Sequence, residues 1–307
     1  MRNQKSLAYR VLALVLVIIL AILFTFPLYW IITGSFKTGK EINSTTPVWW
    51  PSVWTLKNYE KLMSKFKAPL FEIAVPLSQY FSADGTPTVG ITGPTVPAAV
   101  RWLLNTVWMA VASMLLTCIT AAMAGYSLAK KRFVGRNLIF TLIVCAMALP
   151  KQVILIPLIR EMSSLKLYNT LSAVVYPIVG WPFGVFLMKQ FSEGIPTEMV
   201  EACRIDGASE WRTFTDVMFP MIKPGVGALA IFTFISSWND YFMQLIMLSS
   251  NRNLTISLGI ANMQAENQTD FGLIMAGAAF AAVPIIIVFV IFQKYFTKGI
   301  TMGAVKG

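Results

Sequence analysis

Six apolar runs, each long enough to cross a bilayer, constrain this chain more than any other feature. The first extends from Val11 to Thr33, roughly 23 residues against the ~20 that a helix needs to traverse a hydrocarbon core of about 30 Å. Five more follow, at about 103–128, 138–160, 171–190, 225–248 and 272–296. Lipid offers backbone N–H and C=O groups no partner, so runs of this length fold as helices. Charged residues make up 13% of the 307, about half the share usual in a soluble domain. The expected fold class is therefore an all-α integral membrane protein with six transmembrane helices. A basic tail (Arg2, Lys5, Arg10) precedes the first run. That run is longer than the core of a signal peptide and lacks small residues at a cleavage site, so it reads as an uncleaved first helix.

Basic residues set the orientation. Lys130, Lys131, Arg132 and Arg136 join the second and third runs, and Lys294, Lys298 and Lys306 follow the last, whereas the opposite short loops hold mainly Lys166 and Arg252. By the positive-inside rule both termini lie in the cytoplasm, and so does the loop 191–224. The net charge of +11 thus belongs to membrane retention and does not indicate nucleic acid. Six of the 14 acidic residues (Glu193, Glu198, Glu201, Asp206, Glu210, Asp216) fall in that one loop, which must be solvated or docked on a polar partner. Pro150, Pro157, Pro177, Pro182 and Pro284 punctuate the runs. Bends there suit a cavity-lining bundle, and plain kinked helices equally.

The chain divides into an N-terminal tail and first helix (1–36), an extracytoplasmic region (37–101), and a five-helix core (102–307) that contains the loop 191–224. In the second region Trp49, Trp50 and Trp54 suit the membrane interface. Ser82–Pro97 has no helical period and reads as turns. Gly34-Ser35-Phe36-Lys37-Thr38-Gly39-Lys40-Glu41 nearly matches a phosphate-binding loop. Glu41, however, replaces the hydroxyl residue that holds Mg²⁺, and the stretch follows an apolar helix where such a loop follows a strand. No ATP site is expected. His is absent and the three cysteines (Cys118, Cys145, Cys203) have no metal or disulfide spacing. No residue is assigned a catalytic or metal-binding role. The Asn-x-Ser/Thr patterns at Asn43, Asn253 and Asn267 read as coincidental.

Residues 196–220 carry the functional information. Pro196 suits a first helical position, and Glu198 and Glu201 suit the positive end of a helix. Met199, Ala202 and Cys203 share one face at i, i+3, i+4 spacing. Gly207 is placed to end the helix in a left-handed turn. Ser209 can cap a second helix carrying Trp211, Phe214 and Met218 on one side, with Pro220 terminating it. An amphipathic loop packed on its own membrane domain satisfies the same periodicity.

The order of residues is more specific than the periodicity. Glu201-Ala202-Cys203, then Asp206-Gly207-Ala208, then Phe214, Val217 and Phe219-Pro220 resemble the EAA signature of binding-protein-dependent ABC transporter permeases. Cys203 stands where that signature has a second Ala, and Phe219 where Leu is usual. Other stretches resemble the carbohydrate branch of the family, in particular the smaller permease of maltose-type importers. They are Ala129–Phe133 with Gly135-Arg136, Leu149-Pro150 through Leu158, Pro182-Phe183 through Phe191, Ser237–Tyr241 and the terminal Gly303–Gly307.

The resemblance implies a type I importer permease bundle in the bacterial inner membrane, embedded in lipid and paired with a second, homologous permease as a heterodimer. Two ATP-binding subunits would carry ATP and Mg, with no cofactor on this chain, and an extracytoplasmic solute-binding protein would deliver the ligand. Coupling to the ATPase would rest on Glu198, Glu201, Ala202, Asp206, Gly207, Ala208, Trp211, Phe214 and Pro220, and transport would proceed by alternating access. Asn262, Met263 and Gln264 correspond to a loop that reaches the binding protein in maltose-type relatives, or form a plain connector. Asn239, Asp240 and Tyr241 fall mid-way along the fifth run. A carboxylate there costs about 2.5–3.5 kcal/mol on insertion scales and marks either a water-lined sugar path or a structural hydrogen bond. Three alternatives stand beside the sugar permease: a permease for amino acids or peptides, an ion-coupled secondary transporter, and a membrane-embedded enzyme. The ion-coupled transporter would call for more intramembrane charges than Asp240, and the enzyme for a nucleophile–base pair that is not found.

Overall fold

The computed structural model of the chain describes residues 2–74, 89–266 and 270–304, with side chains described over 9–71, 92–265 and 270–293. Ser82 and the rest of 75–88, Asn267, and the terminal residues 305–307 lie outside the described residues. Residues 1–100 with 260–283 form one compact unit, and residues 101–259 with 284–307 form a second.

The first unit opens with α1 (Arg2–Ser35), then two short helices, α2 (Gly39–Ile42) and α3 (Lys57–Ser64). Buried Asn58 of α3 ties the exit of α1 in place. Its amide donates to the carbonyls of Ser35 and Lys37, both at 2.9 Å, which satisfies C=O groups that a helix end leaves open. Lys37 is itself buried, its ammonium 4.0 Å over the ring of Trp30, and burial lowers its pKa. The stretch resembling a phosphate loop is a helix cap. Glu41 reaches back to accept from the N–H and the hydroxyl of Thr38 (2.9 Å each) and from the N–H of Ser52 (2.8 Å).

Four short strands follow: β1 (Lys67–Pro69), β2 (Glu72–Ala74), β3 (Val89–Thr92) and β4 (Thr95–Pro97). They pair antiparallel as β1–β4 and β2–β3. The described part of the stretch read as turns, 89–97, is thus a pair of strands around a bend at Gly93-Pro94. Val, Ile and Thr supply the β-branched side chains and the prolines stand at strand ends. Three- and four-residue strands leave too little alternation to be seen in sequence.

The remaining helices are α4 (Ala98–Lys130), α5 (Arg136–Ala146), α6 (Leu155–Ser164), α7 (Leu171–Val179), α8 (Pro182–Glu193), α9 (Thr197–Ile205), α10 (Glu210–Arg212), α11 (Phe219–Asn239), α12 (Tyr241–Met247), α13 (Ile256–Glu266) and α14 (Phe271–Ala304). Among the described residues, Tyr9–Ser35, Ala98–Lys130, Leu171–Glu193, Glu210–Asn239 and Phe271–Gln293 are long and apolar enough to span a membrane. Arg136–Ala146 with Lys151–Ser164 makes a sixth, bent by 99°.

Three spans differ from the uninterrupted runs expected; in the fourth, Gly180-Trp181 separates α7 from α8. The third turns sharply where Pro150 withholds a backbone N–H and restricts Leu149, and a 3₁₀ turn over Lys151–Ile154 precedes α6. The fifth begins earlier than expected and breaks at Asp240 (φ −77°, ψ 65°), after which α12 starts. Asn239 and Asp240 therefore sit at a helix junction and not mid-helix. Hydropathy carried the reading across that junction because Tyr241–Met247 is as apolar as the helix before it.

The core of the second unit brings α4, α8, the 196–220 segment and α11 together. Cys118, Ala121, Ala122 and Tyr126 meet Met188, Val200, Phe214, Met218, Ile222 and Leu229.

Candidate functional site

The segment 196–220 folds as two short helices about one left-handed residue. Pro196 precedes α9 in an extended conformation as its N-cap, one position before the first helical residue. Gly207 has φ +73°. Across it the N–H of Ala208 donates to the carbonyl of Cys203 at 2.9 Å and the N–H of Gly207 to that of Arg204 at 3.1 Å. These two bonds form a Schellman stop, which the left-handed glycine makes possible. Ser209 then caps α10, its hydroxyl accepting from the N–H of Arg212 at 3.3 Å.

Beyond Arg212 the expectation of a helix ended by Pro220 is overturned. A π-helical turn over Thr213–Met218 runs directly into α11, with Pro220 in the first turn of the new helix. The wider turn accommodates a ring that an α-helix interior would reject. The second short helix is thereby continuous with the fifth span, so a push on α10 is a push on α11.

The inward face also differs from the one the spacing suggested. Val200, 2% exposed, anchors α9, while Met199 and Ala202 are exposed and Cys203 is half-buried. From the second helix Phe214 and Met218 are buried, with Phe214 packed 5.4 Å from the ring of Tyr126. Nothing in the apolar spacing separated Val200 from Met199; only packing against α4 and α11 does. The outer face combines Glu198, Glu201 and Asp206 with Ile205 (86% exposed) and Trp211 (62% exposed). Gly207 and Pro220 are also exposed, and Ala208 is half-buried. An acidic rim with two large apolar side chains standing in it has the composition of a docking surface, where an aromatic anchor contributes most.

One residue that sequence reasoning missed holds the segment to the second span. The Glu210 carboxylate accepts from the Lys131 ammonium and from the Tyr126 hydroxyl (3.3 Å) at the end of α4, and from Arg204 of α9 (3.2 Å). Glu210 thus joins both short helices to α4. It borders an open cleft of about 330 Å³ lined by Met123, Tyr126, Ser127, Lys131, Trp211 and Phe214.

Residues 119–302 match the family described as the binding-protein-dependent transport system inner membrane component. The chain belongs to that family. It is a multi-pass ABC transporter permease, a transporter component and not itself an enzyme, and works alongside other parts of such a system. It is 31% identical to the arabinooligosaccharides transport system permease protein AraQ of Halalkalibacterium halodurans, over 94% of this chain and 93% of the relative. It is 28% identical to the trehalose/maltose transport system permease protein MalG of Thermococcus litoralis, over 99% of both. Its fold resembles a chain of a bacterial ABC transporter involved in the import of the acidic polysaccharide alginate, with TM-score 0.73, 20% identity, and 95% and 98% of the two chains covered.

The other expected positions are dispersed. Asn262, Met263 and Gln264 do not form a loop. They lie in α13, where Met263 is 2% exposed while its two neighbours face outward. Helical spacing turns one of three consecutive residues inward, so Met263 is unavailable to any partner at this surface. Asn239 and Tyr241 are exposed and flank the half-buried Asp240.

Proposed function

We propose that this permease carries saccharides inward as one of two homologous membrane subunits, powered by two ATP-binding subunits that dock on residues 196–220 and supplied by an extracytoplasmic solute-binding protein. Relatives named for arabinooligosaccharide, diacetylchitobiose and trehalose/maltose transport each align over nearly the whole chain, and that agreement carries the reading. The exposed Ile205 and Trp211 within an acidic rim supply the docking face. ATP and Mg belong to the partner, and the two termini lie in the cytoplasm with the docking segment.

In this reading ATP-driven closure of the partner moves α9 and α10 together, because Glu210 and the glycine stop hold their geometry. The continuous passage from α10 into α11 carries the motion to the fifth span. An ATPase shifts the inward–outward equilibrium only through contacts that differ between the two states, and this face provides them. Purification of the tagged chain from its source membrane tests the reading. A second permease and an ATPase should accompany it, and the reconstituted complex should take up a neutral oligosaccharide with ATP. A cysteine at Ser209 should label only from the cytoplasmic side and one at Thr46 only from outside. Isolation of a chain that transports alone, or reversed labelling, overturns the proposal.

A further inference from the structure

The breaks in the third and fifth spans meet. Lys151, at the start of the 3₁₀ turn after Pro150, places its ammonium 3.4 Å from the carboxylate of Asp240, at the junction of α11 and α12. The other oxygen of Asp240 caps α12, accepting from the N–H of Met243 at 3.3 Å. Next to this junction lies a buried polar relay. Gln244 donates to the carbonyl of Ser237 (3.1 Å) and accepts from Thr255 (2.5 Å), while Ser237 bonds Ser113 (3.3 Å). The relay is internally satisfied, but Lys151 is not enclosed, its side chain being 56% exposed against 15% for Asp240.

A lysine side chain more than half open cannot turn its ammonium to hydrocarbon and directs it to water or a polar group instead. Helices broken within a membrane are tolerated where the break is buried in protein or lines a water-filled cavity, and here two breaks come together around one ion pair whose lysine is open, which favours the cavity. Asn239 and Tyr241, both exposed, flank Asp240 in the chain. The pair as a whole is neutral. A carboxylate accepts hydroxyl protons and an ammonium donates to hydroxyl oxygens, so together they match a solute with adjacent hydroxyls. A uronate would compete with Asp240 for Lys151 and leave one carboxylate without its cation, and an amine would do the reverse.

We propose that Lys151 and Asp240 form a solute-contact step on the transport path that favours neutral polyhydroxy solutes over charged ones. The inference rests on the saccharide-import reading and assigns that path its first contact residues on the third span.

The test measures binding of a neutral arabino-oligosaccharide and of an oligogalacturonate of equal length to the purified whole transporter, with ATP-driven uptake of the neutral sugar measured in parallel. Wild type should bind the neutral sugar at least about ten-fold more tightly. Asp240→Asn should shift the preference toward the uronate, and Lys151→Gln should shift it further from the uronate. The double variant Lys151→Asp with Asp240→Lys should restore the neutral preference and shows that the fold survives. If both single variants lower uptake while the ratio of the two affinities stays at the wild-type value, the pair is only a tie between helices and the proposal fails. If wild type moves no saccharide at all, the import reading falls and this proposal with it.

Discussion

Ala208 donates its N–H to the carbonyl of Cys203 at 2.9 Å, and the residue between the two short helices that permits this bond is Gly207 at φ +73°. The bond sets the angle at which α9 meets α10. A β-branched residue at that φ costs about 1–3 kcal/mol of strain, enough to open the stop while leaving the spans untouched. Gly207→Val should therefore reach the membrane at normal levels yet lose transport and the stimulated ATPase activity of the assembled complex. Glu201→Lys, on the exposed acidic rim, should weaken ATPase association in a salt-dependent way. Normal uptake by both variants would reduce the segment to an amphipathic surface loop.

Glu210 gives a second, separable prediction. The Glu210 side chain is 60% exposed in both of its ion pairs, and pairs open to solvent on the carboxylate side are worth little alone, so Glu210→Gln should change thermal stability only slightly. Its three partners come from α4 and α9, so the same change should uncouple ATP hydrolysis from uptake. Lys131→Gln and Arg204→Gln should each reproduce part of that loss. Normal coupling in a folded Glu210→Gln would show that Glu210 is not the joint.

Much of this arrangement was legible because it depends on local chemistry. Gly207 and Ser209 announce a stop and a cap from sequence alone, and the six apolar runs announce the spans. What was not legible depends on packing. Val200 rather than Met199 turns inward because of what α4 and α11 present to it. Pro220 opens a helix instead of ending one because a π turn precedes it, and no composition signals that turn. Lys151 and Asp240 are 89 positions apart, and only the two span breaks bring them into contact.

Glu41 makes the segment that follows α1 pH-sensitive. Backbone N–H donors from Thr38 and then Ser52 hold its carboxyl at about 2, below the ordinary 4.5. A depressed folded-state value contributes stability that is complete above about pH 4.5 and is lost as pH falls through about 2. The tie to Ser52 fixes the loop that carries Trp50 and Trp54. Tryptophan fluorescence of the detergent-solubilised protein should therefore change between those two pH values. In Glu41→Gln that transition should be absent, with the loop already loosened at neutral pH. An unchanged acid transition in the variant would assign it to another carboxylate.

Gly125 tests the packing of α4 on α8. A Cβ built there would lie 2.6 Å from the backbone nitrogen of Lys189 and 2.6 Å from the carbonyl carbon of Met188. Backbone atoms of a packed helix cannot step aside as a side-chain tip can, so the helices must move apart. Lys189 would move with α8, and it is buried, paired with Glu193 at 2.5 Å and placed 4.0 Å over Phe140. Two effects oppose each other in Gly125→Ala. Intrinsic helix propensity favours Ala by about 1 kcal/mol, whereas overpacking costs about 1–3 kcal/mol. Contact with backbone on the opposite helix puts this site at the upper end of that range, so the variant should melt several degrees below wild type. Gly184→Ala is the control. The nearest atoms to its added Cβ are side-chain carbons, the Ala121 methyl at 3.3 Å and the Leu229 methyls at 3.4 and 3.5 Å; a Leu rotamer relieves the latter and a shift of a few tenths of an ångström the former, so its melting temperature should fall much less than that of Gly125→Ala. If Gly125→Ala melts at or above wild type in a detergent thermal-shift assay, the α4–α8 contact is looser than this geometry requires, and Gly125 is not there to let two backbones touch.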